Sequence, residues 1–250
     1  MKSISLFSIK AKIEPFYSTV LGLLLIVTTV VLIVLIGNTL DHVGFIVAFD
    51  KFIYEQINLG AHPGWLNKLV APFNFNFIPQ LGTLIPNFLY FVFALGFLDI
   101  LLFNRKDFGY ALLAIVFAFL VDYYLFKITN SYVFRDRPFI HLLNTVPDGS
   151  KAIWTHWPTY PSGHVRDMAL YSIVLSGFGK YLKWPFVIVT LWVGYTRIYL
   201  GAHYPTDVLA GLLLGYFIGY GILIIIKSWQ KLIRDRKIRR NIKYFGAEDN

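Results

Sequence analysis

The sequence predicts an all-α integral membrane bundle of about six transmembrane helices, with short amphipathic helices on its outer surface. Three observations lead there. Of the 250 residues, 56% are hydrophobic. Only 15% are charged, against the roughly 25% usual in soluble domains. Uncharged runs of spanning length recur along the whole chain, so residues 1–250 read as a single transmembrane domain with no room for a separate soluble one.

The first segment, 16–37, lies in a stretch without charge from Pro15 to Leu40. It is longer than the apolar core of a signal peptide and lacks a small-residue cleavage site, so it reads as a retained helix. Further segments follow at 82–103, 108–127, 164–180, 184–201 and 207–226. The fourth and fifth have short uncharged cores, Met168 to Gly179 and Trp184 to Thr196, which lengthen when a polar residue at the outer end is included. Between the first two spans, from Asp41 to Leu81, apolar residues recur at helical spacing among scattered charges, the pattern of one or two amphipathic helices lying on the surface.

Six crossings put both termini on one side. The segments of that side hold 15 of the 23 basic residues, eight of them in the tail after Ile226. By the positive-inside rule the termini are cytoplasmic. A basic cluster directly beyond a membrane helix is a topology determinant that touches anionic lipid, which argues against a nucleic-acid partner despite the net charge of +9. Cysteine is absent, excluding disulfides, a thiol nucleophile and cysteine metal sites.

This topology gathers the unusual residues. "FRDRPF" (Phe134 to Phe139) and "PSGH" (Pro161 to His164) are joined by a polar loop without a crossing, and two crossings later the chain returns to the same side at "TRIYLGAHYPTD" (Thr196 to Asp207). All three clusters meet at the outer membrane surface. Together they supply Arg135, Arg137, Ser162, Gly163, His164, Arg166, Arg197, His203 and Asp207: an anion site with two imidazoles. Guanidinium groups match phosphate oxygens, and a Ser-Gly turn opening a helix offers N–H donors at the positive end of its dipole. His203, four residues before Asp207, suits an imidazole held in one tautomer by a carboxylate, its other nitrogen left as nucleophile or base.

These motifs resemble the type 2 phosphatidic acid phosphatases, which share a site with vanadium haloperoxidases and bacterial acid phosphatases. The family pattern is Lys, six residues, Arg-Pro; then Pro-Ser-Gly-His; then Ser-Arg, five residues, His, three residues, Asp. The second motif is intact at Pro161 to His164, and the third reads Thr196, Arg197, His203 and Asp207. The first keeps Arg137 and Pro138 but has Asn130 at the lysine position. Lys127, one helical turn earlier, and Arg166, just past the second motif, are the two candidates to supply that charge. On this chain's own composition the spaced Arg, His and Asp of the third motif arise by chance about once in a hundred, and Pro-Ser-Gly-His about once in a thousand. The resemblance covers about 107–226, followed by the basic cytoplasmic tail 227–250; the outer segment around Asp50 also looks like family members.

The resemblance implies a metal-independent phosphatase without a cofactor, multi-pass in a bacterial-type plasma membrane. It would act on a lipid phosphate or lipid diphosphate at the outer, periplasmic or extracellular, leaflet. His203 would attack phosphorus to form a phosphohistidine, Asp207 would orient it, and His164 would protonate the leaving oxygen. Arg137, Arg197, Ser162 and the Gly163 N–H would hold the phosphate oxygens. Two alternatives stand beside it: a phosphotransferase passing the group to a lipid or sugar acceptor, and a non-catalytic lipid-phosphate binding or transport protein, for which Asn130 speaks.

Plainer roles are open to several residues. Asp207 also suits a first-turn acid of the last helix, and Ser162 a helix N-cap. Asp99 and Asp122, acids within apolar segments, are expected to pair with Arg105 and Lys127. Gly211, Gly215 and Gly219, spaced by four, predict close helix packing. Trp154, Trp157 and Tyr160 read as interface anchors and His156 as a surface histidine. No zincin-type spacing is present, consistent with no metal site.

Overall fold

The computed structural model describes residues 6–60, 63–70, 87–142, 158–179 and 181–245, and among these every regular element is helical. Helix α1 runs Leu6–Gly37 and is followed by a 3-10 turn, Leu40–His42. Two shorter helices come next, α2 at Gly44–Asn58 and α3 at Gly64–Val70. Then follow α4 (Asn87–Phe103), a second 3-10 turn (Arg105–Asp107), α5 (Phe108–Tyr132) and the short α6 (Pro138–His141). The last three are α7 (Gly163–Ser176), α8 (Lys183–Tyr199) and α9 (Pro205–Phe245).

A helix stands at each of the six apolar segments, and among the described residues three are long and apolar enough to cross a membrane by length and composition: Ile13–His42, Arg105–Thr129 and Pro205–Ile238. Their outward faces are apolar, as with Leu24, Val27 and Leu35 on α1 or Leu113, Val116 and Leu120 on α5, which suits a hydrocarbon solvent. Helix α4 contributes a shorter apolar stretch, Val92–Phe103. At 14 residues α7 is about 21 Å long, short of the roughly 30 Å hydrocarbon core. Its low hydropathy has a structural reason: it is the central helix, packed by α4, α5, α8 and α9, with residues 165–172 all buried in protein rather than facing lipid.

Close approach of α9 to α7 depends on the small-residue stripe. A Cβ on Gly211 would lie 2.5 Å from the Ser162 carbonyl oxygen, and one on Gly215 would run into the Arg166 carbonyl oxygen. Backbone therefore meets backbone, which brings the start of α7 and the start of α9 to one place.

Two expected pairings are replaced. Asp122 of α5 meets Arg166 of α7, carboxylate to Nε at 2.7 Å, while Lys127 lies on the exposed face of α5 with its ammonium 4.7 Å from the Tyr123 ring centroid. The reason is register: Arg166 sits on the buried side of α7 facing α5, and its Nη2 also reaches Asp167 at 2.8 Å. Asp99 accepts the N–H of Tyr181 at 3.1 Å, and among the described residues no Asp99–Arg105 pair forms.

At the opposite end α9 continues as one helix through the basic tail to Phe245. Asp107, at the start of α5, accepts from Gln230 and from Arg234 at 3.0 Å, and Lys231 meets Glu14 of α1 at 2.7 Å.

Helix α2 is amphipathic in an inverted sense. Phe45, Phe49 and Phe52 form an exposed apolar stripe, whereas the buried face carries Asp50, Tyr54 and Asn58. This face docks on α8 and the start of α9: Asn58 donates to the Tyr199 carbonyl at 2.9 Å, Asp50 accepts the Thr206 N–H at 2.9 Å, and the Tyr54 ring packs against that of Tyr204.

The Arg166 cluster yields a stability prediction. Arg166→Met leaves two buried carboxylates without their cation and is expected to cost about 3–5 kcal/mol. Thermal unfolding in detergent measures it, and adding Asp122→Asn and Asp167→Asn should recover most of the loss.

Candidate active site

Three stretches converge at one end of the bundle, where α5 ends and α7 and α9 begin. The extended segment 133–137 leaves α5 and runs beside Thr159, whose N–H donates to the Arg135 carbonyl at 3.0 Å. The turn into α7 is tied to α9 by the Ser162 N–H, which donates to the Asp207 carbonyl at 3.0 Å. Between α8 and α9 the chain turns through Gly201 at φ 71°, a left-handed conformation that favours glycine. That turn folds back on the end of α8, where Ala202 N–H donates to the Arg197 carbonyl at 3.0 Å, and Arg137 Nη1 donates to the Ala202 carbonyl at 2.9 Å. The three polar clusters are thus one hydrogen-bonded unit.

Asp207 lies at its centre with no solvent exposure. Its Oδ1 accepts from Arg135 Nη1 at 2.6 Å. Its Oδ2 accepts from the Thr159 hydroxyl at 2.7 Å and the Tyr204 N–H at 2.8 Å. The Tyr204 bond is the back half of a capping box, an acid three residues into α9 reaching the N-cap amide, so the first-turn role and a site role coexist.

His203 is held differently from the direct pairing that the sequence suggests. Its Nδ1 is 2.7 Å from the Thr159 carbonyl oxygen but 3.9 Å from Asp207 Oδ2, beyond hydrogen-bond range. A neutral imidazole donating Nδ1–H to that carbonyl keeps the lone pair on Nε2. Asp207 acts one step away, through the hydroxyl of Thr159, which lies 3.1 Å from Nδ1.

The site's electrostatics favour an anion. Burial, followed by the charges of Arg137 and Arg197 and by His164, pushes the His203 imidazole well below its usual 6.5, so the ring is neutral at neutral pH. Burial lowers the Arg137 guanidinium to about 10, against the opposing pull of Asp207. Arg197 is fully buried, and His164 stands half-buried in the first turn of α7. Ser162 occupies the N-cap position of α7, but its hydroxyl caps nothing; Oγ is buried with no hydrogen-bond partner among the described residues. An orphaned buried hydroxyl beside the opening turn of a helix is suited to a ligand oxygen. Among the described residues no group of three His, Asp or Glu is arranged to hold a metal ion.

Of the residues singled out in the sequence, Arg137, Ser162, Gly163, His164, Arg197, His203 and Asp207 come together here. Arg166 lies just behind His164 with its guanidinium committed to Asp122 and Asp167, and Lys127 points to the exposed surface. Asn130 falls in the last turns of α5, and its side chain lies outside the described set, as do His156, Trp154 and Trp157. Tyr160 is buried, not an interfacial anchor, with its hydroxyl donating to the Ile33 carbonyl at 3.1 Å. Thr159 is the residue that sequence reasoning missed; its only signal is its position three residues before Ser162. A cleft of about 880 Å³ opens beside the site, lined among others by Arg135, Arg137, Asp50 and Tyr204.

A helical bundle that ends in two imidazoles, buried guanidinium groups and an open helix turn has the chemistry to receive an anion. Residues 111–231 match the PAP2 superfamily. It is 33% identical over 119 residues to undecaprenyl-diphosphatase BcrC of Bacillus subtilis (strain 168), covering 47% of this chain and 56% of that protein. It is 27% identical over 213 residues to phosphatidylglycerophosphatase B of the same organism, covering 80% and 89% respectively. The fold is similar to the crystal structure of the first transmembrane PAP2 type phosphatidylglycerolphosphate phosphatase from Bacillus subtilis. That comparison has a TM-score of 0.53 and 21% identity, over 88% of this chain and 96% of that one.

The depressed imidazole gives a pH prediction. Because only the neutral ring is nucleophilic and its protonation is displaced downward, His203 should react with diethyl pyrocarbonate with an inflection below pH 6.5. Peptide mapping across a pH series measures it; an inflection at or above that value would contradict the burial argument.

Proposed function

We propose that this chain is a metal-independent phosphatase that removes a phosphate from a lipid phosphate or lipid diphosphate through a phosphohistidine on His203. The observation that carries the reading is the commitment of His203 Nδ1 to the Thr159 carbonyl, which leaves Nε2 as the nucleophile, beside Arg137 and Arg197. The relatives named above, a diphosphatase of an isoprenoid lipid and a phosphatase of a phospholipid, support a lipid phosphate as substrate.

In the proposed reaction Nε2 forms a bond to phosphorus while the bond from phosphorus to the lipid oxygen breaks, and His164 delivers the proton to that oxygen. Water, deprotonated by His164, then cleaves the phosphorus–nitrogen bond and releases phosphate. Arg137, Arg197, the Ser162 hydroxyl and the Gly163 N–H hold the equatorial oxygens where charge accumulates. Attack places positive charge on the imidazole, and Asp207, acting through Thr159, stabilises it.

The chain is read as crossing the membrane six times, with cytoplasmic termini and the site at the outer leaflet. Helices at all six apolar segments and the basic residues of the end opposite the site support this topology. The short α7 crosses inside a jacket of longer helices, whereas α8 packs against α7 and α9 and turns Trp184, Ile188 and Leu191 outward.

His203→Ala is expected to lower phosphate release by at least about a thousandfold, the scale of losing a nucleophile, with the protein still folded in detergent. A panel of phosphatidic acid, phosphatidylglycerol phosphate, polyprenyl diphosphate and lipid A phosphate measures it and ranks the head groups. Full activity in that variant would overturn the mechanism. Since Lys127 faces outward and Arg166 is neutralised, Asn130→Lys should raise kcat/KM about tenfold; no change would mean that Arg137 and Arg197 already suffice.

A further inference from the structure

We propose that Asp50 and Arg135 are positioning residues for the catalytic carboxylate, so that helix α2, which lies outside the family-matched segment, is a working part of the site. This rests on the phosphatase reading above.

Every nitrogen of the Arg135 guanidinium is committed. Nη1 donates to Asp207 Oδ1 at 2.6 Å and to Thr206 Oγ1 at 2.9 Å. Nη2 donates to Asp50 Oδ2 at 2.7 Å, and Nε to Asp41 Oδ1 at 2.8 Å. The Tyr204 ring covers the guanidinium, 4.3 Å from its carbon to the ring centroid. Asp50 grips the same turn of α9 from the other side: its Oδ1 accepts the Thr206 N–H at 2.9 Å, and its Oδ2 accepts the Thr206 hydroxyl at 2.5 Å. Arg135, Asp50 and Asp207 are all buried.

This closed ring does more than join helices. A carboxylate rotates about its terminal torsion unless both oxygens are held, and a planar guanidinium fixes one oxygen in direction as well as distance. With Oδ1 held by Arg135, Oδ2 is presented to the Thr159 hydroxyl, the group through which Asp207 reaches His203. The sequence hides the device, because Arg135 sits two residues before the motif arginine and resembles a second phosphate ligand, while Asp50 lies 157 positions from Asp207.

The test uses the full chain in detergent, comparing wild type with Asp50→Ala, Asp50→Asn and Arg135→Lys. The readouts are kcat and KM for phosphate release, the thermal midpoint, and the rate at which diethyl pyrocarbonate modifies His203. A positioning role predicts that Asp50→Ala lowers kcat by about ten- to a hundredfold while KM stays within about threefold, because phosphate binding by Arg137 and Arg197 is untouched. Asp50→Asn, which keeps an acceptor for the Thr206 N–H, should be intermediate, and Arg135→Lys, which loses the planar fork, should be as impaired as Asp50→Ala. A purely structural role predicts a lower thermal midpoint with kcat unchanged in the folded protein, and that result would overturn the proposal. Should Asp50→Ala not fold, Asp50→Asn is judged on the same kcat criterion. If wild type releases phosphate from no lipid, the phosphatase reading falls. The positioning role is then decided by His203 modification alone, expected to change severalfold in Asp50→Asn and overturned if it does not.

Discussion

The carboxylate of Asp207 is the point on which the site end of this molecule turns. A fully buried negative charge is tolerated when it is paired and hydrogen-bonded, and here the partners come from different parts of the chain: Arg135 after α5, Thr159 before α7, and the Tyr204 amide at the start of α9. Satisfying one acid therefore fixes three loops at once. His203 inherits its orientation from the same knot, since Thr159 offers its hydroxyl to Asp207 and its carbonyl to the imidazole.

What allows the knot to form is the spacing of the helices beneath it. Without side chains at Gly211 and Gly215, α9 lies backbone to backbone on α7, so that the turn at Ser162 can donate its amide to the Asp207 carbonyl. On the other flank of α7, Arg166 spends its charge on Asp122 and Asp167. A desolvated guanidinium between two carboxylates is held by them, which removes it from the set of cations free to meet a phosphate. Among the described residues, Arg137 and Arg197 are the guanidinium groups whose charges reach His203.

Much of this was legible in the residues. Helices at the apolar segments and the meeting of three polar clusters at one end of the bundle followed from hydropathy and counting, because membrane insertion is a nearly one-dimensional problem of which runs tolerate hydrocarbon. The short central helix showed in the sequence as an abbreviated uncharged core, since a helix wrapped by others answers to packing and not to lipid. The pairings read from proximity along the chain fared worse. Asp122 and Lys127 are five residues apart, yet Lys127 reaches solvent or lipid on the outer face of α5 while Asp122 faces inward to Arg166.

Sequence by itself determined that this is an all-helical membrane chain whose motifs resemble the PAP2 superfamily, and it named the imidazoles, the carboxylate and the arginines of the candidate site, because each of these rests on residue type and spacing. Tertiary structure alone decided which arginine serves which partner. Arg135, Arg137, Arg166 and Arg197 are chemically identical; one is locked into a ring of carboxylates with helix α2, one is consumed behind α7, and two stand beside the histidines. The reason is physical: a guanidinium takes its role from the charges that close around it in three dimensions, and Asp50 and Asp122 reach theirs across 85 and 44 positions of chain.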